Sequence, residues 1–210
     1  IAASAGLMVY LLLSSAPSAQ AASIAEWNLT PGSMPNGLVA ANPTITKTLV
    51  FFADGGGRIG RLDPDNNTII SYSIPGAPFD VVNATIDDSK EEIWFTLSAT
   101  GEIGYIDFRK PSTSPPLYST IYYTFGGIPT SPRGITLQYL PKRPGQYVLW
   151  FAEYGANAIG MIDPFNGGDN TAGPKATEAT YIYRNVKLPA ESSGPWDIVF
   201  SPHLNCSFLM

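Results

Sequence analysis

The 210-residue chain carries 12 Lys and Arg against 17 Asp and Glu, a formal net charge of −5, and charged residues make up only 14% of it. Electrostatic binding of nucleic acid needs clustered Lys and Arg to displace counterions, so an acidic, charge-poor surface argues against it. The 20 Gly, 19 Pro, 11 Tyr and 10 Phe call for many turns between aromatic-rich strands, which predicts an all-β protein.

In chain order, residues 5–13 (AGLMVYLLL) form an apolar run too short to span a bilayer, followed by the small-residue stretch SSAPSAQA. This pattern predicts a secretory signal peptide over 1–21, with Ala19, Gln20 and Ala21 as the cleavage motif. The expected mature domain covers 22–210 and is secreted, with no membrane span after cleavage. A first outer strand is expected over 24–29. Sequons at Asn28, Asn66, Asn83 and Asn205 would accept glycans in a eukaryotic secretory pathway. Cys206 is the only cysteine, so these residues form no internal disulfide.

From residue 49 onward one phrase recurs: LVFFADGGGRIGRLD (49–63), EIWFTLSATGEIGYID (92–107) and VLWFAEYGANAIGMID (148–163). A second phrase, with Pro, a variable residue and then Gly or Asp, opens MPNGLVA at 34, APFDVVN at 77, SPRGITL at 131 and GPWDIVF at 194. The four prolines (Pro35, Pro78, Pro132 and Pro195) lie 43, 54 and 63 residues apart, and the extra length falls in Pro- and Gly-rich loops. Repeats of this length suit β-propeller blades of four short antiparallel strands, each blade packing its aromatic face on the next. In the third copy the strands are expected at 134–139, 146–152, 158–162 and 176–186.

Within this unit the paired aromatics read as core between blades. Asp63 and Asp163, each before a Pro, read as turn formers whose carboxylates take nearby backbone N–H groups, and Asp107 occupies the same repeat position. The GGGRIG stretch at 55–60 reads as a β turn, because no helix follows it to offer a phosphate its N-terminus.

The segments WFTLSATGEIGYID and WFAEYGANAIGMID, each after a Pro-x-Gly/Asp turn, resemble the repeat of the virginiamycin B lyase (streptogramin lyase) family. The resemblance implies a seven-bladed propeller and, in the best-known members, Mg-assisted elimination across an ester of a cyclic depsipeptide antibiotic. Such a reaction needs a base for the proton alpha to a carbonyl and a metal or donor for the enolate-like charge. In the family the catalytic histidine follows the Pro of such a turn in a late blade, with glutamates nearby. Here that position holds Asn36, Phe79, Arg133 and Trp196, and the single histidine, His203, lies in the turn SPHLNC. No catalytic residue therefore carries over. About three and a half blades are expected in 22–210, a ring cut short at its C-terminal side before the blades that hold the family's chemistry.

Two functions fit these residues. One is a secreted carbon–oxygen lyase acting on a cyclic ester or depsipeptide, with Mg implied by the resemblance. Its candidate substrate-binding groups are the corner carboxylates Asp54 and Glu153, with Arg133 and Arg58 beside them. The middle copy has Leu97 at the corner, so the repetition does not preserve a carboxylate there. The other is a non-catalytic secreted propeller that binds a small molecule, peptide, glycan or protein over one face, with DPFNGGDNTAGPKATEAT as a candidate binding loop.

Overall fold

A computed structural model describes residues 25–44, 47–74, 81–87, 92–107, 120–123, 130–165, 182–189, 194–201 and 206–209. For 42–44, 81–87, 107, 120–123, 182 and 206–209 it describes the backbone alone. Four antiparallel sheets follow one another along the chain. The first is β1 (Pro35–Thr44), β2 (Lys47–Asp54), β3 (Arg58–Asp63) and β4 (Thr68–Ser73). The second is β5 (Val81–Asp87), β6 (Glu92–Leu97), β7 (Glu102–Asp107) and β8 (Thr120–Tyr123). The third is β9 (Pro132–Tyr139), β10 (Tyr147–Glu153), β11 (Ala158–Asp163) and β12 (Ile182–Lys187), and β13 (Ile198–Ser201) pairs with β14 (Cys206–Leu209). Successive inner strands β1, β5, β9 and β13 pack against one another, so the sheets are blades stacked around an axis.

Turn chemistry sets the strand ends. Gly57 donates its N–H to the Asp54 carbonyl at 3.0 Å and holds φ at +77°, a conformation that costs glycine nothing. The Asp63 carboxylate accepts the Asn66 N–H at 3.2 Å, and that of Asp163 accepts the Phe165 N–H at 3.1 Å, as Asx turns require. Each is also met by a base, Lys47 at 3.0 Å from Asp63 and Arg143 at 2.8 Å from Asp163. The side chain of Asp107 lies outside the described residues.

The paired aromatics divide between the two faces of a blade because side chains alternate along a strand. Phe51 and Ala53 of the first blade pack with Ile93, Phe95 and Leu97 of the second. Trp94 of the second packs with Tyr147, Leu149 and Phe151 of the third. Trp94 Nε1 donates to the Tyr147 hydroxyl at 2.9 Å, and that hydroxyl donates to the Glu92 carboxylate at 2.9 Å, so a buried polar chain also crosses this interface. Burial, and then the charge of Glu92, holds the Tyr147 phenol well above its ordinary range, so it stays protonated and donating.

Two expectations change. Residues 25–30 form no strand. The fourth strand of the third blade is present as β12, and its expected start at 176 lies outside the described residues. The two-stranded sheet of β13 and β14 after three four-stranded ones agrees with the three and a half blades expected. Trp150, expected as core, is only half-buried and donates its indole N–H to Gln138 at 2.7 Å, because among the described residues its face meets only the last, two-stranded sheet. No helix among the described residues is long and apolar enough to cross a membrane.

Candidate functional site: the axial cavity

In sequence each inner strand follows a Pro-x-Gly/Asp motif, and the strand pairing is irregular at the start of the first two, between Pro35 and Leu38 and again between Val81 and Ala84. In the third blade the matching shift falls between Phe151 and Glu153. Such bulges re-aim side chains next to a sheet end. The result is a cavity of about 570 Å³ at the axis, lined by Asn36, Gly37 and Leu38 of the first turn, Arg133 and Gly134 of the third, and Trp196 and Asp197 of the fourth. Phe79 and Asp80 of the second turn lie outside the described residues. The size suits a drug-sized ligand.

Backbone bonds hold the third turn between its neighbours. The Thr96 hydroxyl donates to the Arg133 carbonyl at 2.8 Å, and Gly134 N–H donates to the Trp196 carbonyl at 3.0 Å. A side chain at Gly134 would collide with Asp197, which explains why only glycine fits where these two strands meet. Ser131, just before Pro132, sits at φ +40°, a left-handed conformation that is uncommon for serine and further disfavoured before proline. The buried Thr130 braces this strained entry, accepting from Gly155 N–H at 3.0 Å and donating its hydroxyl to Gly101 at 3.3 Å.

The Arg133 guanidinium carbon lies 3.9 Å from the Trp196 ring centroid and 4.6 Å from that of Tyr154. These rings meet edge to face at 86°, so the cation occupies the angle between them. Tyr154 and Trp196 are both substantially exposed, at 44% and 57%. The cavity therefore presents one cation, one carboxylate, one amide and an open indole face.

Of the candidate groups Asp54, Glu153, Arg58 and Arg133, only Arg133 lines this cavity. Asp54 is buried, and its carboxylate accepts from Met34 N–H at 2.8 Å, Gly56 N–H at 2.9 Å and Arg58 Nε at 2.9 Å. Burial would raise its pKa, but these hydrogen bonds outweigh it and hold the carboxyl below the ordinary value. Glu153 is also buried. Its cross-strand partner is Ala158, where Asp54 has Arg58, so its carboxylate turns instead to β12. There it accepts from the Tyr183 hydroxyl at 2.5 Å and from Asn185 at 3.5 Å. Burial pushes the Glu153 carboxyl above its ordinary range against those two bonds and the charge of Lys187. Both corner carboxylates thus serve their own blades.

Among the described residues no three of His, Cys, Asp and Glu come together as a metal set, and the oxygens of Asp54 and Glu153 already have donors. His203 lies outside the described residues. Sequence reasoning missed Trp196 and Tyr154 as parts of a site. The signal for Trp196 was its repeat position, since Asn36, Arg133 and Trp196 all occupy the variable place of the turn.

No protein-family model matches the sequence, and a comparison with curated proteins finds no match. Among solved structures the chain is similar to virginiamycin B lyase from Staphylococcus aureus, at 25% identity and a TM-score of 0.58 over 83% of this chain and 48% of that one. For a catalytically inactive His-to-Ala variant of that enzyme with quinupristin, the values are 27% and 0.62 over 88% and 52%. A β-propeller domain from Myceliophteria thermophila shares the fold at 11% identity and a TM-score of 0.52, over 80% of this chain and 47% of that one. This chain spans about half the length of the virginiamycin B lyase structures it matches. It is an all-β chain of propeller blades, similar in structure to virginiamycin B lyase.

Proposed function

We propose that this protein is a secreted, streptogramin-lyase-like β-propeller that takes its ligand into the axial cavity and opens an ester of a cyclic depsipeptide by carbon–oxygen elimination. The observation that carries the reading is the place of the cavity. The variable residues of three repeated turns, the repeat position where the resembling family keeps its histidine, converge on one cavity of ligand size. The likeness to virginiamycin B lyase supports the reaction type. Magnesium rests on that resemblance alone, and the described turns supply one carboxylate, Asp197, and no histidine. The apolar run over 5–13 and the AxA motif after it support export.

The test is to incubate the full-length protein with an ester-containing cyclic depsipeptide, with magnesium or with EDTA, and follow the product by mass spectrometry. Elimination opens the ring without changing mass, whereas hydrolysis adds one water. A ring-opened isomer formed only with magnesium supports the lyase reading, and a hydrated product or untouched substrate in both arms refutes it.

A second reading, a non-catalytic propeller that holds a small molecule, peptide, glycan or protein, draws on the makeup of the wall. Apart from the Asp197 carboxylate, its polar and aromatic groups are an arginine, an indole and an amide, which hold ligands rather than move protons. Tight binding of a cyclic depsipeptide without turnover would favour it.

A further inference from the structure

Arg133 differs from the other arginines with described contacts. Arg58 pairs with Asp54 at 2.8 Å, Arg143 pairs with Asp163 at 2.8 Å, and Arg61 donates to the Tyr72 hydroxyl at 3.4 Å. Among the described residues the Arg133 guanidinium meets only the rings of Trp196 and Tyr154, and its Nε is buried without a hydrogen-bond partner; the Nε of Arg61 is likewise unpartnered, but Arg61 keeps its bond to Tyr72 through Nη1. Ring faces attract the positive charge but accept almost nothing from the five N–H donors. A half-buried arginine oriented in this way lacks, among the described residues, an acceptor of matching shape.

We infer that Arg133 anchors a ligand bearing a single carboxylate, with the apolar or aromatic body of that ligand resting on the exposed Trp196 ring. This rests on the proposal that ligand enters the axial cavity. A carboxylate is planar and can take two parallel N–H bonds from a guanidinium. Asp197 lines the same cavity, so a dianion such as a phosphate monoester would meet a like charge with only one cation to offset it. An ester elimination sends the C–O electron pair to oxygen and releases a carboxylate while a base takes the alpha proton and the C=C bond forms. The same anchor therefore suits the product of the lyase reading and the ligand of the binding reading.

The test uses N-acetylphenylalanine, its neutral carboxamide and phenyl phosphate as probes, titrated into the 210-residue chain by calorimetry and by Trp fluorescence. The acid should bind about tenfold or more tightly than the amide, Arg133→Met should remove that preference, and Arg133→Lys should restore part of it. Amide binding that persists in Arg133→Met shows that the variant keeps its fold and cavity. Equal affinities of wild type for acid and amide, an undiminished preference in Arg133→Met, or tighter binding of phenyl phosphate would each overturn the carboxylate anchor while leaving the cavity as a binding site. Failure of wild type to bind any of the probes at millimolar concentration would overturn the cavity reading together with the anchor.

Discussion

The ring of Phe151 occupies the space that a β-carbon on Gly160 would take, directly across the strand pair. The same relation joins Phe52 with Gly60 and Phe95 with Gly104, which is why the second aromatic and the glycine recur together in the sequence. Gly160→Ala should therefore overpack the blade and cost about 1–3 kcal/mol in urea unfolding. The cost should shrink in a Phe151→Leu background, and an unchanged cost there would clear the ring of responsibility.

Tyr147 joins two blades through bonds in both directions, from Trp94 and to Glu92. Tyr147→Phe keeps the ring and deletes the hydroxyl, so Trp94 and Glu92 each lose a buried partner. A loss of about 1–3 kcal/mol by chemical denaturation is expected, with little change in the far-UV spectrum.

Asp54 knots the first turn to the first hairpin through Met34, Gly56 and Arg58. Asp54→Asn places an amide among donors and should cost about 3 kcal/mol. Because Asp54 does not line the cavity, probe affinity measured on the folded fraction should be unchanged. A selective loss of affinity would return Asp54 to the binding site.

Glu153 is held above its ordinary pKa of 4.5, chiefly by burial. The folded chain then binds this proton more tightly than the unfolded chain, so stability falls as pH rises from 4.5 through the raised value. Glu153→Gln removes this slope. Stability profiles of the two proteins should converge or cross as pH rises, and parallel profiles from 4.5 to about 8 would show that Glu153 does not titrate there.

Asp63 behaves with the opposite sign. Hydrogen bonding from Asn66 first, and then from Lys47, lowers its pKa from 3.8 to about 2. Its contribution is complete above 3.8 and is lost as pH falls toward about 2. Asp63→Asn should flatten the acid limb of the melting-temperature profile, and an acid limb unchanged in the variant would assign the loss to other carboxylates.

Much of the fold was legible because the chain states its blade three times. The spacing of Phe52, Gly60 and Asp63 and of their counterparts encodes a strand, a cross-strand packing partner and a turn, each a local matter of pairing and hydrogen bonding. The site was less legible. Asp54 and Glu153 stand at the same corner and look alike as candidates, yet whether a carboxylate faces a ligand depends on who reaches it first. Arg58 reaches Asp54 across one strand pair, while Ala158 is too short to reach Glu153, leaving it to Tyr183 and Asn185.

By itself, then, the sequence determined the repeat, the strand order within a blade and the role of the turn aspartates, since these follow from alternation and turn propensity within about forty residues. Only the tertiary structure decided which residues meet at the axis. Arg133, Tyr154 and Trp196 lie in different turns and converge because neighbouring inner strands pack side by side, a contact across blades that no local pattern in the chain records.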